Sequence, residues 1–122
     1  MKKVIVIDDS RIVRQQVKAA LADLDVEILE AADGQAGEAS VRATPDCALV
    51  ICDVNMPIVG GLALLRTLKG DDATKAVPVL MLTTEGHPDL VREARQLGAL
   101  GWLVKPFKPN LLVETVRKLA KL

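Results

Sequence analysis

The sequence predicts an α/β protein of three layers, with helices on both faces of a five-stranded parallel sheet. Two observations carry that prediction. Short runs rich in Val, Ile and Leu alternate five times with segments of helical period. Four of the five apolar runs are near-continuous, the pattern of strands buried on both faces, and such strands belong to parallel sheets joined by right-handed helical crossovers.

The strands are expected at Lys3–Ile7, Val26–Glu30, Ala48–Cys52, Pro78–Thr83 and Leu100–Val104. The second alternates apolar and polar residues and reads as an edge. The first helix, Ser10–Leu24, lines up Val13, Val17, Ala20, Leu21 and Leu24 on one stripe, with Ser10 as N-cap. The second, Gln35–Ala43, is short and Ala-rich; Asp33-Gly34 supplies its turn and cap, and Pro45 stops it. Leu62–Lys69 follows Gly60-Gly61. Asp89–Leu97 follows Pro88 and ends at Gly98. Pro109–Lys121 opens with proline and closes with Arg117, Lys118 and Lys121, which favour the negative end of the helix.

With 122 residues, 50% hydrophobic, the chain suits one domain, residues 1–122, and no attached output domain is expected. Sixteen basic residues balance sixteen acidic ones, which argues against direct nucleic-acid binding. No apolar run approaches the ~18 residues of a membrane span and none opens the chain as a signal peptide would, so the expected address is cytoplasmic. Cys47 and Cys52 make no CxxC and are read as reduced core residues. Their odd separation would place them on opposite faces of a strand. The only aromatics are Trp102 and Phe107, so the core must be aliphatic.

Open parallel sheets bind ligands beyond the carboxyl ends of their strands. Those ends carry Asp8-Asp9, Asp53, Thr83-Thr84 and Lys105. Any one of these suits an ordinary turn or cap, but together they make an acidic pocket with one ammonium. Three crowded carboxylates repel, and a hard divalent cation relieves the conflict. Asp9 and Asp53 could bind it directly and Asp8 through a water. The pocket suits phosphoryl transfer: the cation and Lys105 neutralise charge, Thr83 hydrogen-bonds an oxygen, and a carboxylate is the nucleophile, with Asp53 the best placed.

"VIDDSR", "DVNMPIVGG", "MLTTEG" and "WLVKPF" resemble the receiver domain of two-component response regulators, most closely the stand-alone chemotaxis type. Separations of 44, 30 and 22 residues along Asp9, Asp53, Thr83 and Lys105 agree with that family. The resemblance implies a flavodoxin-like, doubly wound sheet of order 2-1-3-4-5. It implies a phosphoryl group received by Asp53 from a sensor histidine kinase. Mg²⁺, or Mn²⁺ in its place, would be held by Asp8, Asp9, Asp53 and the Asn55 backbone carbonyl. Thr83 and Trp102 would act as the switch pair, and helix four, strand five and helix five as the surface that meets an output partner. Asn55 and Glu85 would tune the lifetime of the phosphoryl group, and the bond before Pro106 would be cis. The family leaves monomer or weak dimer open. The chain departs from the family's commonest pattern at Thr84, at Trp102, where Tyr or Phe is usual, and at Cys52.

Other readings are a phosphoryl relay or sink, an aspartate-nucleophile phosphatase, and a degenerate receiver acting as a docking module. The phosphatase needs DxD where this chain has Asp8-Asp9-Ser10, and a degenerate receiver usually lacks residues this chain keeps. No GxxxxGK[ST] occurs to cradle a nucleotide. His87 and Arg11 are read as solvated, and Phe107 as core.

Overall fold

A computed structural model describes all 122 residues. Five strands, β1 (Lys2–Ile7), β2 (Val26–Ala31), β3 (Cys47–Cys52), β4 (Val79–Thr83) and β5 (Gly101–Val104), alternate with five helices. These are α1 (Arg11–Ala20), α2 (Gly34–Ala43), α3 (Gly61–Lys69), α4 (Pro88–Leu97) and α5 (Pro109–Leu119). The strands form one parallel sheet of order β2-β1-β3-β4-β5. The expected three-layer α/β/α fold and strand order are both present.

Alternation along the central strands builds two cores. Ile5, Ile7, Val50, Cys52, Val79 and Met81 face one side and pack against Val41 of α2, Leu64, Leu65 and Leu68 of α3, and Ala94 of α4. Val4, Val6, Leu49, Ile51, Leu80 and Leu82 face the other and pack against Val17 of α1 and Leu112 and Val116 of α5. Phe107 joins this second core, as expected. Truncating a fully buried leucine such as Leu80 to alanine would cost ~2–5 kcal/mol.

Three local expectations are corrected. The first helix ends at Ala20 rather than Leu24, because residues 21–25 must reverse the chain into β2. Leu21 and Leu24 still reach the core, from a turn in which the Leu24 amide bonds the Leu21 carbonyl at 3.0 Å. β5 is an edge strand of partial burial rather than a fully buried one, with Val104 47% exposed. Cys47 and Cys52 face the same core rather than opposite ones. β3 has one residue more than β1 here: Lys3 pairs Cys47 while Val4 pairs Leu49, so Ala48 is bulged and the alternation slips by one. Both thiols are free, as expected.

The peptide bond before Pro106 is cis. No helix is long and apolar enough to cross a membrane.

Candidate functional site

Register brings the site together. Ile7 pairs Cys52, Cys52 pairs Met81, and Thr83 pairs Val104, so the residues following β1, β3 and β5 emerge along one sheet edge. The ladder extends into them. The Asp53 amide donates to the Ile7 carbonyl at 3.0 Å, the Asp8 amide to Ala31 at 3.0 Å, and the Lys105 amide to Thr83 at 2.8 Å. The site is therefore part of the sheet's own hydrogen-bonding.

Asp8 and Asp53 are buried, at 2% and 7% exposure, while Asp9 is exposed. One carboxylate oxygen from each can be chosen so that all three lie within 4.8 Å of one another. Lys105 reaches between two of them, its ammonium 2.7 Å from Asp8 Oδ2 and 3.2 Å from Asp53 Oδ2. The other oxygens take backbone donors: Ser10 N–H to Asp8 Oδ1 at 2.9 Å, and Val54 N–H to Asp53 Oδ1 at 2.7 Å. The Asp9 carboxylate has no hydrogen-bond or ion-pair partner in the protein.

Ser10 also caps α1, its hydroxyl accepting from the Val13 amide at 3.2 Å. Behind Asp53, α3 begins against the strand end. A Cβ at Gly61 would stand 1.9 Å from the Asp53 carbonyl oxygen, so only glycine fits. Thr83 is fully buried, and its hydroxyl oxygen accepts from the Glu85 amide at 3.3 Å, leaving its own proton free to donate. Glu85 joins the rim: its carboxylate accepts from the Asn55 amide group at 2.9 Å, and its carbonyl accepts from the Trp102 indole at 2.8 Å. Trp102 is partly buried against the core under α3 and α4. Thr84 is exposed beside Lys105, on the wall of a cleft of about 600 Å³ between α1 and the loop after β5.

Residues 4–117 match the response regulator receiver domain. The chain belongs to that family. The receiver is 37% identical over 113 residues to the chemotaxis protein CheY1 of Helicobacter pylori strain J99, covering 92% of this chain and 91% of that protein. It is 33% identical over 117 residues to the chemotaxis protein CheY of Pseudomonas aeruginosa, covering 96% and 94%. Among solved structures it is similar to Vibrio cholerae CheY4, at a TM-score of 0.89 and 39% identity over 98% of both chains. It is a two-component receiver of CheY-like type, and such domains catalyse only their own phosphorylation and dephosphorylation.

Burial and charge set the receiver's electrostatics. Burial pushes the Asp8 carboxyl above its usual value; the hydrogen bonds from Lys105 and the Ser10 amide offset this only in part. Burial also works against the Lys105 charge, but its hydrogen bond and attraction to Asp8, then Asp53, prevail and raise its pKa. The cluster thus holds more negative charge than one ammonium balances. An exposed, unpartnered Asp9 beside two buried carboxylates is a hard-oxygen donor set that fits a divalent cation. Burial, with Asp53 and Asp8 nearby, pushes the Cys52 thiol far up, so Cys52 stays a protonated packing residue.

Asp8, Asp9, Asp53, Thr83 and Lys105 lie at this edge, and Asn55, Glu85 and Thr84 on its rim; Trp102 lies within β5 opposite Met81 and meets the rim only through its indole. His87 is exposed and caps α4, accepting from the Asp89 amide at 3.1 Å. Arg11 is exposed and unpaired. The residue sequence reasoning missed is Arg14, whose guanidinium donates to the Asp8 backbone carbonyl and to Glu30 Oε1. Its signal was weak: an arginine off the apolar stripe of α1, with Lys18 four residues on, opposite a glutamate on an edge strand.

Proposed function

We propose that this receiver is a phosphorylation switch: Asp53 accepts a phosphoryl group from the phosphohistidine of a sensor kinase, with Mg²⁺ (or Mn²⁺) bound, and the change alters a partner-binding surface. The observation that carries the reading is the pairing of Lys105 with both Asp8 and Asp53 beside an unpartnered Asp9. Bound Mg²⁺ would supply charge neutralisation at the phosphoryl oxygens and is assigned to Asp9, Asp53 and the Asn55 carbonyl, with Asp8 acting through water. Asp8 suits the indirect role because Lys105 holds it more closely, at 2.7 Å against 3.2 Å for Asp53, while its other oxygen takes the Ser10 amide; Asp9 is free.

The Asp53 carboxylate attacks phosphorus as the P–N bond to the kinase imidazole breaks. A P–O bond forms, and the imidazole leaves with the electron pair. Lys105 swings its ammonium onto a phosphoryl oxygen, and Thr83 donates its free hydroxyl proton to another. Because the Glu85 amide holds the Thr83 hydroxyl and the Glu85 carbonyl holds Trp102, movement of Thr83 pulls on the loop that carries the indole. The surface that changes is α4, β5 and α5, meeting an output protein, with the receiver acting as monomer or weak dimer. Thr84 at the mouth and the Asn55–Glu85 bridge limit access of donor and of hydrolytic water, which tunes the phosphoryl lifetime. A relay or sink uses the same chemistry without an output target, and back-transfer to the kinase separates the two.

Trp102 is the only tryptophan, so it reports the switch. Its fluorescence should shift with beryllofluoride only when Mg²⁺ is present. A spectrum indifferent to both would count against the coupling of site and surface.

A further inference from the structure

We propose that Arg14 is a positioning residue for the cation site, holding the Asp8–Asp9 peptide so that the free Asp9 carboxylate faces Asp53. The inference rests on the reading of Asp8, Asp9 and Asp53 as a Mg²⁺ site. Asp9 has nothing in the protein to orient its side chain, so the backbone that carries it must do so. The carbonyl of the Asp8–Asp9 peptide accepts from the Arg14 guanidinium. The same guanidinium is fixed at its other edge by Glu30 Oε1 on β2, at 3.0 Å, and Glu30 Oε2 takes Lys18 at 3.2 Å.

The Arg14 side chain is only 14% exposed, so this is not a loose surface pair. Its own amide donates to the Ser10 carbonyl at 3.1 Å, in the turn the guanidinium clamps. The Ser10 amide in turn holds Asp8 Oδ1 at 2.9 Å. Arg14 therefore ties the first turn of α1, the acidic turn and the edge strand into one closed set of bonds. It touches neither substrate nor cation, and acts through Asp8.

Charge and position predict opposite signs, which makes the proposal testable. A guanidinium next to an acidic pocket repels an incoming divalent cation. If Arg14 acted by charge alone, removing it would tighten Mg²⁺ binding; if it positions Asp9, removing it loosens binding. Partners that orient metal-binding groups are typically worth roughly 10–100-fold in metal affinity. The experiment is calorimetric titration of the full chain with MgCl₂ at fixed ionic strength, alongside thermal unfolding without Mg²⁺. Arg14→Gln should weaken Mg²⁺ binding by about tenfold or more. Arg14→Lys keeps the charge but cannot bridge Asp8 and Glu30 with one planar fork, and should also bind several-fold more weakly than wild type. That second variant keeps the question open to test if the first does not fold. Mg²⁺ affinity equal to or tighter than wild type in either folded variant overturns the proposal, even if the unfolding midpoint falls, since a purely structural role would move only the midpoint. Absence of Mg²⁺ binding by wild-type protein would instead overturn the site reading beneath it.

Discussion

At the scale of single residues, the site is a problem of charge placed under burial. Asp8 and Asp53 are taken out of water at the end of a buried sheet, and Lys105 offsets only part of the resulting repulsion. Asp9 is left in solvent without a partner, and its carboxylate oxygens are available beside the two buried ones. Around this cluster, Glu30 shows how pH enters. Desolvation opposes its charge, but hydrogen bonds and attraction from Arg14 and Lys18 prevail, so its carboxyl is held below the usual 4.5. A carboxyl whose folded value is lowered adds stability above the usual value and loses it as pH falls through the folded one. The stability advantage of wild type over Glu30→Gln should therefore be full at pH 7 and shrink as pH drops below about 4.5. Urea unfolding of both proteins across that range checks it, and a difference that does not change with pH would contradict the role given to Glu30.

At the scale of elements, the close fit of α3 under the strand that leads into Asp53 is the most demanding feature. Gly61 starts the helix where a Cβ would meet the Asp53 carbonyl oxygen, and backbone cannot yield as a flexible side chain does. Gly61→Ala should destabilise the protein by about 2–3 kcal/mol in urea unfolding, near the upper end for overpacked sites, and should displace Asp53 enough to slow its labelling. A loss below about 0.5 kcal/mol, the ordinary range of surface substitutions, would mean the helix start relaxes freely. The elements also mark what sequence could reveal. The central strands were legible because a run such as Val4–Ile7 has no polar residue to place on either face. β5 misled because Trp102, Leu103 and Val104 read as core, while an edge position leaves Val104 half in solvent. The faces of Cys47 and Cys52 were illegible because one bulged residue, Ala48, inverts the alternation, and nothing in its chemistry announces a bulge. Arg14 was passed over because its partner is a backbone carbonyl, and side-chain pattern carries no trace of which carbonyls lack a strand neighbour.

At the scale of the molecule, the fold turns three register relations into one site. Parallel pairing of β1, β3, β4 and β5 places Asp8-Asp9, Asp53, Thr83 and Lys105 along a single edge, although up to 97 residues separate their positions in the chain. This convergence explains why the four short motifs were informative together and weak alone. It also links the site to β5, since Glu85 contacts the Thr83 hydroxyl, Asn55 and Trp102 at once. All of this serves one central claim, that Asp53 is where a phosphoryl group is received. The direct measurement is labelling by a small phosphodonor such as acetyl phosphate, followed by mass spectrometry of wild type and Asp53→Asn, each with and without Mg²⁺. The account predicts one added phosphoryl group, on Asp53, only in wild type and only with Mg²⁺. Labelling that persists in folded Asp53→Asn, or that ignores Mg²⁺, would contradict it.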